Sequence, residues 1–464
     1  MSLMHTFCNE VLRAHNNQDS EYIQRLFDLQ QDDPDHVQLR NTLSQIPSSE
    51  WERIASQCLK DTSSALVNAV ISYFKMVMAV NTPVSQLYDA VEAFYSALVP
   101  VFSSSEGVYL VDYIKSFSSQ LVSLAFLVDK EQRLRGKSRK SNGAARLLSK
   151  VFNIMLADRA PFSESKRQGI IHITNLAFKI YTKLDNIRLC QTFISNLRTG
   201  GVDVTGYSMA EQVTYRYYMG RFQFYQNNLK KADEHFTFAF RHCPGKMWHN
   251  KRLILEFLIP TRMILGRMPS DELLHHYQLT DPYMSLKYAL IKGDIYTYLG
   301  ILDQNVEYFT RTFSYLVLRG RGLVLVWRSL LRRAFILTRS SSDDLKMSYK
   351  TCYDALRMSS RDPNIDLYDV ECMLVSLISQ GYIRGYLHHQ QQRLICSKTN
   401  PFPMISQVRL YKEHYNDDLM QHHLQTDQPE VPKEILDILE EDSGYSEEKE
   451  EEYEIDQMDD SMMY

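Results

Sequence analysis

One stretch, from Asp366 to Phe402, restricts the possible folds of this chain more than any other. Asp366 is suited to a helix N-cap, and Asp369 follows three residues later, near the positive end of the helix. Gly381 follows the last apolar residue of the helical pattern, where a left-handed C-cap needs a glycine. The pattern predicts a helix with one apolar face, formed by Leu367, Val370, Met373, Leu374, Leu377 and Ile378.

The spacing of apolar residues changes after Gly381. Between Tyr382 and Leu387, the residues Ile383, Gly385 and Leu387 alternate with Tyr382, Arg384 and Tyr386. This period of two is typical of a half-buried strand. The polar segment from His388 to Gln392 predicts a turn, and Arg393 to Ser397 predicts the returning strand. Pro401 and Pro403 end the hairpin. A helix followed by a short hairpin predicts the last helix and the wing of a winged helix.

The composition is that of a folded protein with two or three domains or one extended solenoid. The chain has 464 residues, of which 44% are hydrophobic and 23% are charged. No run of 18 uncharged apolar residues is present, and the first residues lack the basic and apolar regions of a secretory signal. The cysteines are dispersed and form no CxxC pair, which favours a reducing compartment, the cytosol or the nucleus.

The charge is distributed unevenly along the chain. From Glu434 to Tyr464 there are 14 acidic residues and one lysine, a net charge of −13. Because the whole chain carries −4, the remaining residues carry +9. A basic body favours polyanionic partners, and the tethered acidic tail is able to screen the same surface.

The rest of the chain predicts an all-α fold, a tetratricopeptide-like helical solenoid ending in a winged helix. We expect N-terminal helical repeats over residues 1–205, a tetratricopeptide-like part over 206–342, the winged helix over 343–406 and an acidic, disordered tail over 407–464. The repeat pattern is carried by Gly220, Ala232, Phe236, Ala239 and Pro244. We expect Asp343 and Asp344 to cap a helix, and Pro260 to interrupt another.

Catalytic signatures are missing from the sequence. It contains no phosphate-binding glycine loop, nucleophile elbow, metalloprotease motif or EF-hand loop. The histidines and the cysteine that lie between His235 and His249 lack a carboxylate or a second cysteine to complete a metal site. We therefore predict a protein that is not an enzyme and that has no cofactor, no metal site and no small-molecule substrate.

Basic residues supply the candidate functional sites. Seven arginines and no acidic residue lie between Phe309 and Ser342, so they either pair with acids of other helices or form a phosphate-contacting patch. The stretch from Lys130 to Lys150 carries eight basic residues and one acid, and is either a solvated loop or a nuclear-import or phosphate-contacting segment. The predicted nucleic-acid contacts are Arg321, Arg328, Arg332, Arg333, Arg384, Lys251 and Arg252.

A helical solenoid that runs into a winged helix resembles the PCI domain. The resemblance is carried by VTYRYYMGRFQFYQNNLKKADEHFTFAFRHCP, NKRLILEFLIPTRMILGRMP, VWRSLLRRAF and DVECMLVSLISQGYIRGYLHHQQQRLICSKTNPFP. Within the family the chain resembles the mRNA-export subunit of the second transcription-and-export complex and the related twelfth, signalosome-associated subunit. The residues that match basic positions of these relatives are Lys251, Arg252, Arg328, Arg332, Arg333 and Arg384.

This resemblance implies a set of partners and a location. A subunit of this kind docks on a GANP-type scaffold subunit, contacts a small acidic Sem/Dss-type protein through its winged helix and offers a basic surface to RNA or single-stranded nucleic acid. We expect it in the nucleus, associated with nuclear pore components and the envelope, and also in the cytoplasm, without a membrane anchor. The alternative is an architectural subunit of a signalosome-like or proteasome-lid-like assembly that binds no RNA.

Overall fold

The computed structural model describes residues 3–28, 34–60, 62–341 and 344–408. Its compact units are Met1–Thr338 with Thr351–Ile365, and Arg339–Lys350 with the chain from Asp366 onward. The acidic tail from residue 409 on lies outside the described residues, as does the predicted boundary between residues 342 and 343. The predicted domain boundaries stay predictions.

The first unit begins as a solenoid of antiparallel helices. Buried aromatic rings fill its core, with ring centroids 5.0 Å apart for Phe27 and Tyr73 and 5.3 Å apart for Phe94 and Phe117. The helices are α1 (Leu3–Asn16), α2 (Ser20–Phe27), α3 (Pro34–Ser44), α4 (Ser48–Cys58), α5 (Ser64–Ala79), α6 (Val84–Ser103), α7 (Val111–Glu131), α8 (Lys140–Ala157), α9 (Ile170–Lys183) and α10 (Cys190–Thr199).

The predicted tetratricopeptide-like pair follows without a break in the core. Helix α11 (Met209–Tyr225) packs on α12 (Leu229–His242), and Tyr215, Met219 and Phe222 join the core of the preceding helices. A Cβ atom on Gly220 would lie 2.6 Å from the ring of Phe236. The glycine is therefore what lets the two helices approach, as the repeat pattern predicted.

We expect Gly220→Val to destabilise the first unit. The added side chain must displace the Phe236 ring, and overpacking of this kind costs about 1–3 kcal/mol. Thermal unfolding measures the change, with Gly245→Val as the matched control because no atom lies within 4 Å of a Cβ atom at that position. Equal melting temperatures for the two variants would contradict the assignment.

The later helices of the first unit include one that passes through a proline. Pro260 is buried inside α13 and does not interrupt it, so this expectation was wrong. Proline lacks the N–H that would bond to the carbonyl of Glu256, and the hydroxyl of Tyr283 donates to that carbonyl instead, at 3.1 Å. The helices are α13 (Trp248–Ile264), α14 (Asp271–His276), α15 (Thr280–Lys292), α16 (Ile295–Gln304), α17 (Val306–Arg311), α18 (Tyr315–Val317), α19 (Leu323–Thr338) and α20 (Tyr349–Ser360), whose first two residues belong to the second unit.

The second unit carries the helix and hairpin predicted from the sequence. Helix α21 spans Leu367–Ser379, with Asp366 and Asp369 forming a capping box, and Gly381 has a φ of +77°. Val370, Leu374 and Leu377 of the predicted apolar face are buried, whereas Leu367, also predicted on that face, is 37% exposed. The strands of the hairpin are β2 (Gly385–His388) and β3 (Arg393–Cys396). Gln392, in the turn between them, has a left-handed backbone conformation.

A further strand completes a small antiparallel sheet. β1 (Lys346–Ser348) pairs with β3, so the strand order is β1-β3-β2, the order of a winged helix. The prediction that Asp344 caps a helix was wrong: it precedes β1, and its carboxylate accepts a hydrogen bond from the backbone N–H of Lys346. Asp343 lies outside the described residues. The predicted all-α solenoid ending in a winged helix is confirmed.

No helix in the described ranges is long and apolar enough to cross a membrane.

Candidate nucleic-acid interface

The strand register separates the side chains of the wing sheet into two faces. Met347 pairs with Leu394, which pairs with Leu387, and these apolar residues share one face. Met347 and Leu394 are at most 2% exposed. The sheet therefore buries this face and presents the opposite face to solvent.

The outer face of the sheet is basic and has an exposed aromatic ring on the edge strand β2. Lys346 and Tyr386 both pair with Ile395 of β3, and Arg393 lies two residues before Ile395 on the same side. Arg384 lies two residues before Tyr386, and its carbonyl accepts a hydrogen bond from the N–H of Ser397, which continues the ladder. We call this set of four residues the wing surface: Lys346, Arg384, Tyr386 and Arg393.

The cations of the wing surface are open to solvent, and the carboxylate of Asp344 lies near Lys346. All three cations are exposed, and Tyr386 is 58% exposed. In the described part of the chain, the guanidinium groups of Arg384 and Arg393 form no ion pair. Cations and an exposed aromatic ring on one face of a sheet suit a nucleic-acid strand, whose phosphates bind the cations while a base stacks on the ring.

The histidines at the tip of the hairpin have structural contacts. The Nδ1 atom of His389 lies 2.7 Å from a carboxylate oxygen of Glu371, and the hydroxyl of Tyr349 donates to the same oxygen at 3.2 Å. Nδ1 of His388 accepts a hydrogen bond from the N–H of Gln391. These contacts fix the tip of the hairpin to the start of α21, so the histidines serve the fold of the wing.

The arginines of the first unit differ in their exposure. Arg332 and Arg333 are exposed on α19, and Arg333 donates a hydrogen bond of 2.8 Å to the carbonyl of Lys292 at the end of α15. Arg328 is buried, with 8% exposure, and Arg321 is half-buried. Arg332 and Arg333 thus offer charge to solvent, whereas Arg328 lies inside the unit.

The other basic candidates lie against groups of the first unit. The ammonium group of Lys251 lies over the ring of Phe240, 4.7 Å from its centroid. A guanidinium nitrogen of Arg252 is 3.9 Å from the buried carboxylate of Glu256. Nucleic-acid binding by these residues, and by the arginines at 321, 328, 332, 333 and 384, stays a prediction.

Histidines in the first unit do not form a metal centre. Within the described ranges, no group of three His, Cys, Asp or Glu side chains is placed to hold a metal ion. His235 contacts Arg216, with 3.2 Å between its Nδ1 atom and Nη1 of the arginine. Burial and the positive charges of Arg216 and Lys231 lower the pKa of His235 to about 4, so this imidazole is neutral at pH 7.

One arrangement that sequence analysis missed has the residue types of a hydrolase triad. His172 on α9 lies 2.8 Å from the hydroxyl of Ser119 on α7 and 3.9 Å from the carboxylate of Glu211 on α11. The hydroxyl of Ser119 donates to the carbonyl of Lys115, so its proton does not point at the imidazole, as nucleophilic attack requires. The arrangement ties three helices together, and no spacing in the sequence indicates it.

Comparison with known proteins identifies relatives over most of the chain. A PCI domain-containing protein of Schizosaccharomyces pombe is 35% identical over 347 residues, which cover 72% of this chain and 78% of the relative. PCI domain-containing protein 2 of Danio rerio is 28% identical over 418 residues, or 87% and 98% of the two chains. Its counterpart in Xenopus laevis is 33% identical over 266 residues, or 57% and 65%. No protein-family model matches the sequence.

Proposed function

This chain belongs to the PCI-domain family, and from that membership we propose that it is a non-catalytic scaffold subunit of a nuclear mRNA-export complex that binds RNA. The observation that carries the RNA-binding part is the wing surface, three exposed cations and an exposed tyrosine on one face of the sheet. Arg332 and Arg333 supply further exposed charge on the first unit. The basic excess of the chain outside its acidic tail agrees with a polyanionic partner.

The proposed protein partners follow from the family resemblance and from the exposed side of α21. Tyr368 is 75% exposed and Val375 is 51% exposed, and both lie on the same helix as Asp369 and Glu371. A helix with acidic and apolar side chains binds poorly in a nucleic-acid groove, so this side suits contact with protein. We assign it to a protein partner of the export complex, which comprises a GANP-type scaffold, a Sem/Dss-type subunit and pore components.

Salt dependence tests the RNA-binding part of the proposal. We expect the purified chain to bind single-stranded RNA with an affinity that falls as salt rises, by roughly 0.7 logarithmic units per tenfold salt for each phosphate contact. Three contacts at the wing surface predict a slope of about −2, measured by fluorescence anisotropy between about 50 mM and about 200 mM salt. Absence of binding at the lower salt, both by the chain and by its intact complex, would rule out this mechanism.

The identity of stoichiometric partners tests the scaffold part. The export proposal expects a GANP-type scaffold and a small acidic subunit to copurify with the tagged full-length chain. Signalosome subunits in their place would favour the alternative, an architectural subunit without RNA binding. The acidic, apolar side of α21 favours that alternative if the wing surface fails to bind RNA.

A further inference from the structure

The basic stretch around residue 140 borders a groove that the proposed function does not use. The groove has a volume of about 900 Å³ and lies between one side of α8 and the end of α9. Its basic lining residues come from the turn before α8 and from the helix itself: Lys137, Arg139, Arg146 and Lys150. The single acid in its lining is Asp185. Four cations against one carboxylate give the groove a positive potential.

Two basic residues of the stretch hold the groove in shape. Arg139 donates hydrogen bonds to the carbonyl of Leu134, at 3.3 Å, and to the carbonyl of Lys183 at the end of α9, at 3.4 Å. Lys140 pairs with Asp89 at 2.7 Å, and Asp129 accepts hydrogen bonds from the first N–H groups of α8. The start of α8 is therefore already capped, and Arg139 and Lys140 stabilise the walls of the groove.

The other cations of the lining are open to solvent, and of these Arg146 also interacts electrostatically with the carboxylate of Glu92. Lys137, Arg146 and Lys150 are exposed, and among the described residues the ammonium groups of Lys137 and Lys150 form no hydrogen bond or ion pair.

The placement of the cations selects the class of anion. Arg146 and Lys150 are one turn apart on the same side of α8, roughly 6 Å along its axis, and Lys137 lies in the turn before the helix, so the charges follow the helix in a row. A single phosphate needs cations that converge on one point, whereas a row of cations matches successive phosphates of a strand. Leu184 and the 44% exposed Leu189 give the row an apolar wall for sugars and bases.

We infer that this groove is a second contact for single-stranded RNA, separate from the wing surface, with Lys137, Arg146 and Lys150 binding consecutive phosphates. Both contacts bind the same class of ligand, but neither needs the other for its geometry. The groove belongs to the first unit, and the wing surface belongs to the second. The inference rests on the proposed RNA binding and adds a contact on the first unit.

Charge reversal in the full-length chain tests the groove. At about 0.15 M salt each neutralised phosphate contact is worth roughly fourfold in affinity, so Lys137→Glu, Arg146→Glu and Lys150→Glu together are expected to weaken binding by about 50-fold or more. The control combines Arg13→Glu, Lys60→Glu and Lys75→Glu, three exposed cations on or beside α1, α4 and α5. The same three groove positions changed to Gln provide a milder variant if the reversed protein melts early.

Crosslinking adds a readout that does not depend on affinity. A 4-thiouridine oligonucleotide is expected to crosslink to peptides that contain residues 137–150 and 181–189. Wild-type affinity in the groove variants, or crosslinks absent from these peptides, would overturn the inference. Failure of the proposed function gives a different result. If only the groove binds RNA, the groove variants lose affinity and the variants of the wing surface keep wild-type affinity.

Discussion

Leu374→Asn combined with Leu377→Asn is expected to unfold the winged-helix unit. Both side chains are fully buried on α21, so each change removes apolar contacts and places an amide where it has no hydrogen-bond partner. We expect a cost of about 3–5 kcal/mol at each site. Because a domain is stable by about 5–15 kcal/mol in total, the pair consumes most of that stability.

Hydrogen exchange of the sheet provides the most direct measurement. Amides of β2 and β3 are expected to lose protection in the double variant, since the sheet packs its apolar face within the same unit. Tyr368→Asn with Val375→Asn is the matched control, because it places the same amides on the exposed side of the same helix. Retained protection and cooperative melting of the buried-site variant would contradict the assignment of the apolar face.

Local signals explain why this helix and hairpin were predictable from the sequence. Asp366, Asp369 and Gly381 specify the two ends of α21 through contacts within a few residues. The apolar spacing then fixed which side of the helix is buried, except at Leu367 in the first turn, where the helix end is exposed. Likewise Gly220 and Phe236 identified a helix pair whose close approach the structure confirms.

Pairing between distant segments explains what the sequence did not reveal. β1 has only three residues and is separated by 44 residues from the β3 strand with which it pairs, so its strand character depends on tertiary contacts. Lys346 and Arg393 were therefore not recognised as neighbours, although they share a sheet face with the predicted Arg384. The burial of Arg328 also depends on tertiary contacts, because spacing along α19 does not reveal which side faces the core.

The mixture of buried and exposed arginines changes which substitutions are informative. Reversal of Arg328 introduces a carboxylate at a position with 8% exposure, so lost binding by that variant would not separate unfolding from a lost contact. Arg332 is exposed and is the better probe of the first unit. Substitutions on the wing surface are better still, because all three cations there are exposed.

Reversal of the wing surface, by Lys346→Glu, Arg384→Glu and Arg393→Glu, is expected to lower RNA affinity by about 50-fold or more at about 0.15 M salt. Each lost phosphate contact also lowers the steepness of the salt dependence, by roughly 0.7 for a single strand. The slope measured for the full-length chain is therefore expected to become shallower by about 2, while the groove keeps its own contribution. The control is the triple reversal at Arg13, Lys60 and Lys75, which changes net charge equally.

Tyr386→Ala separates stacking from charge at the same surface. Its ring is 58% exposed on the outer face of the sheet, and stacking of one base on an aromatic ring is worth about 1–3 kcal/mol. We expect weaker binding with an unchanged salt slope, because no phosphate contact is lost. A changed slope would mean that the tyrosine positions the neighbouring cations. Wild-type affinity in both Tyr386→Ala and the triple variant would instead exclude the wing surface as the RNA contact and leave α21 and its sheet with an architectural role.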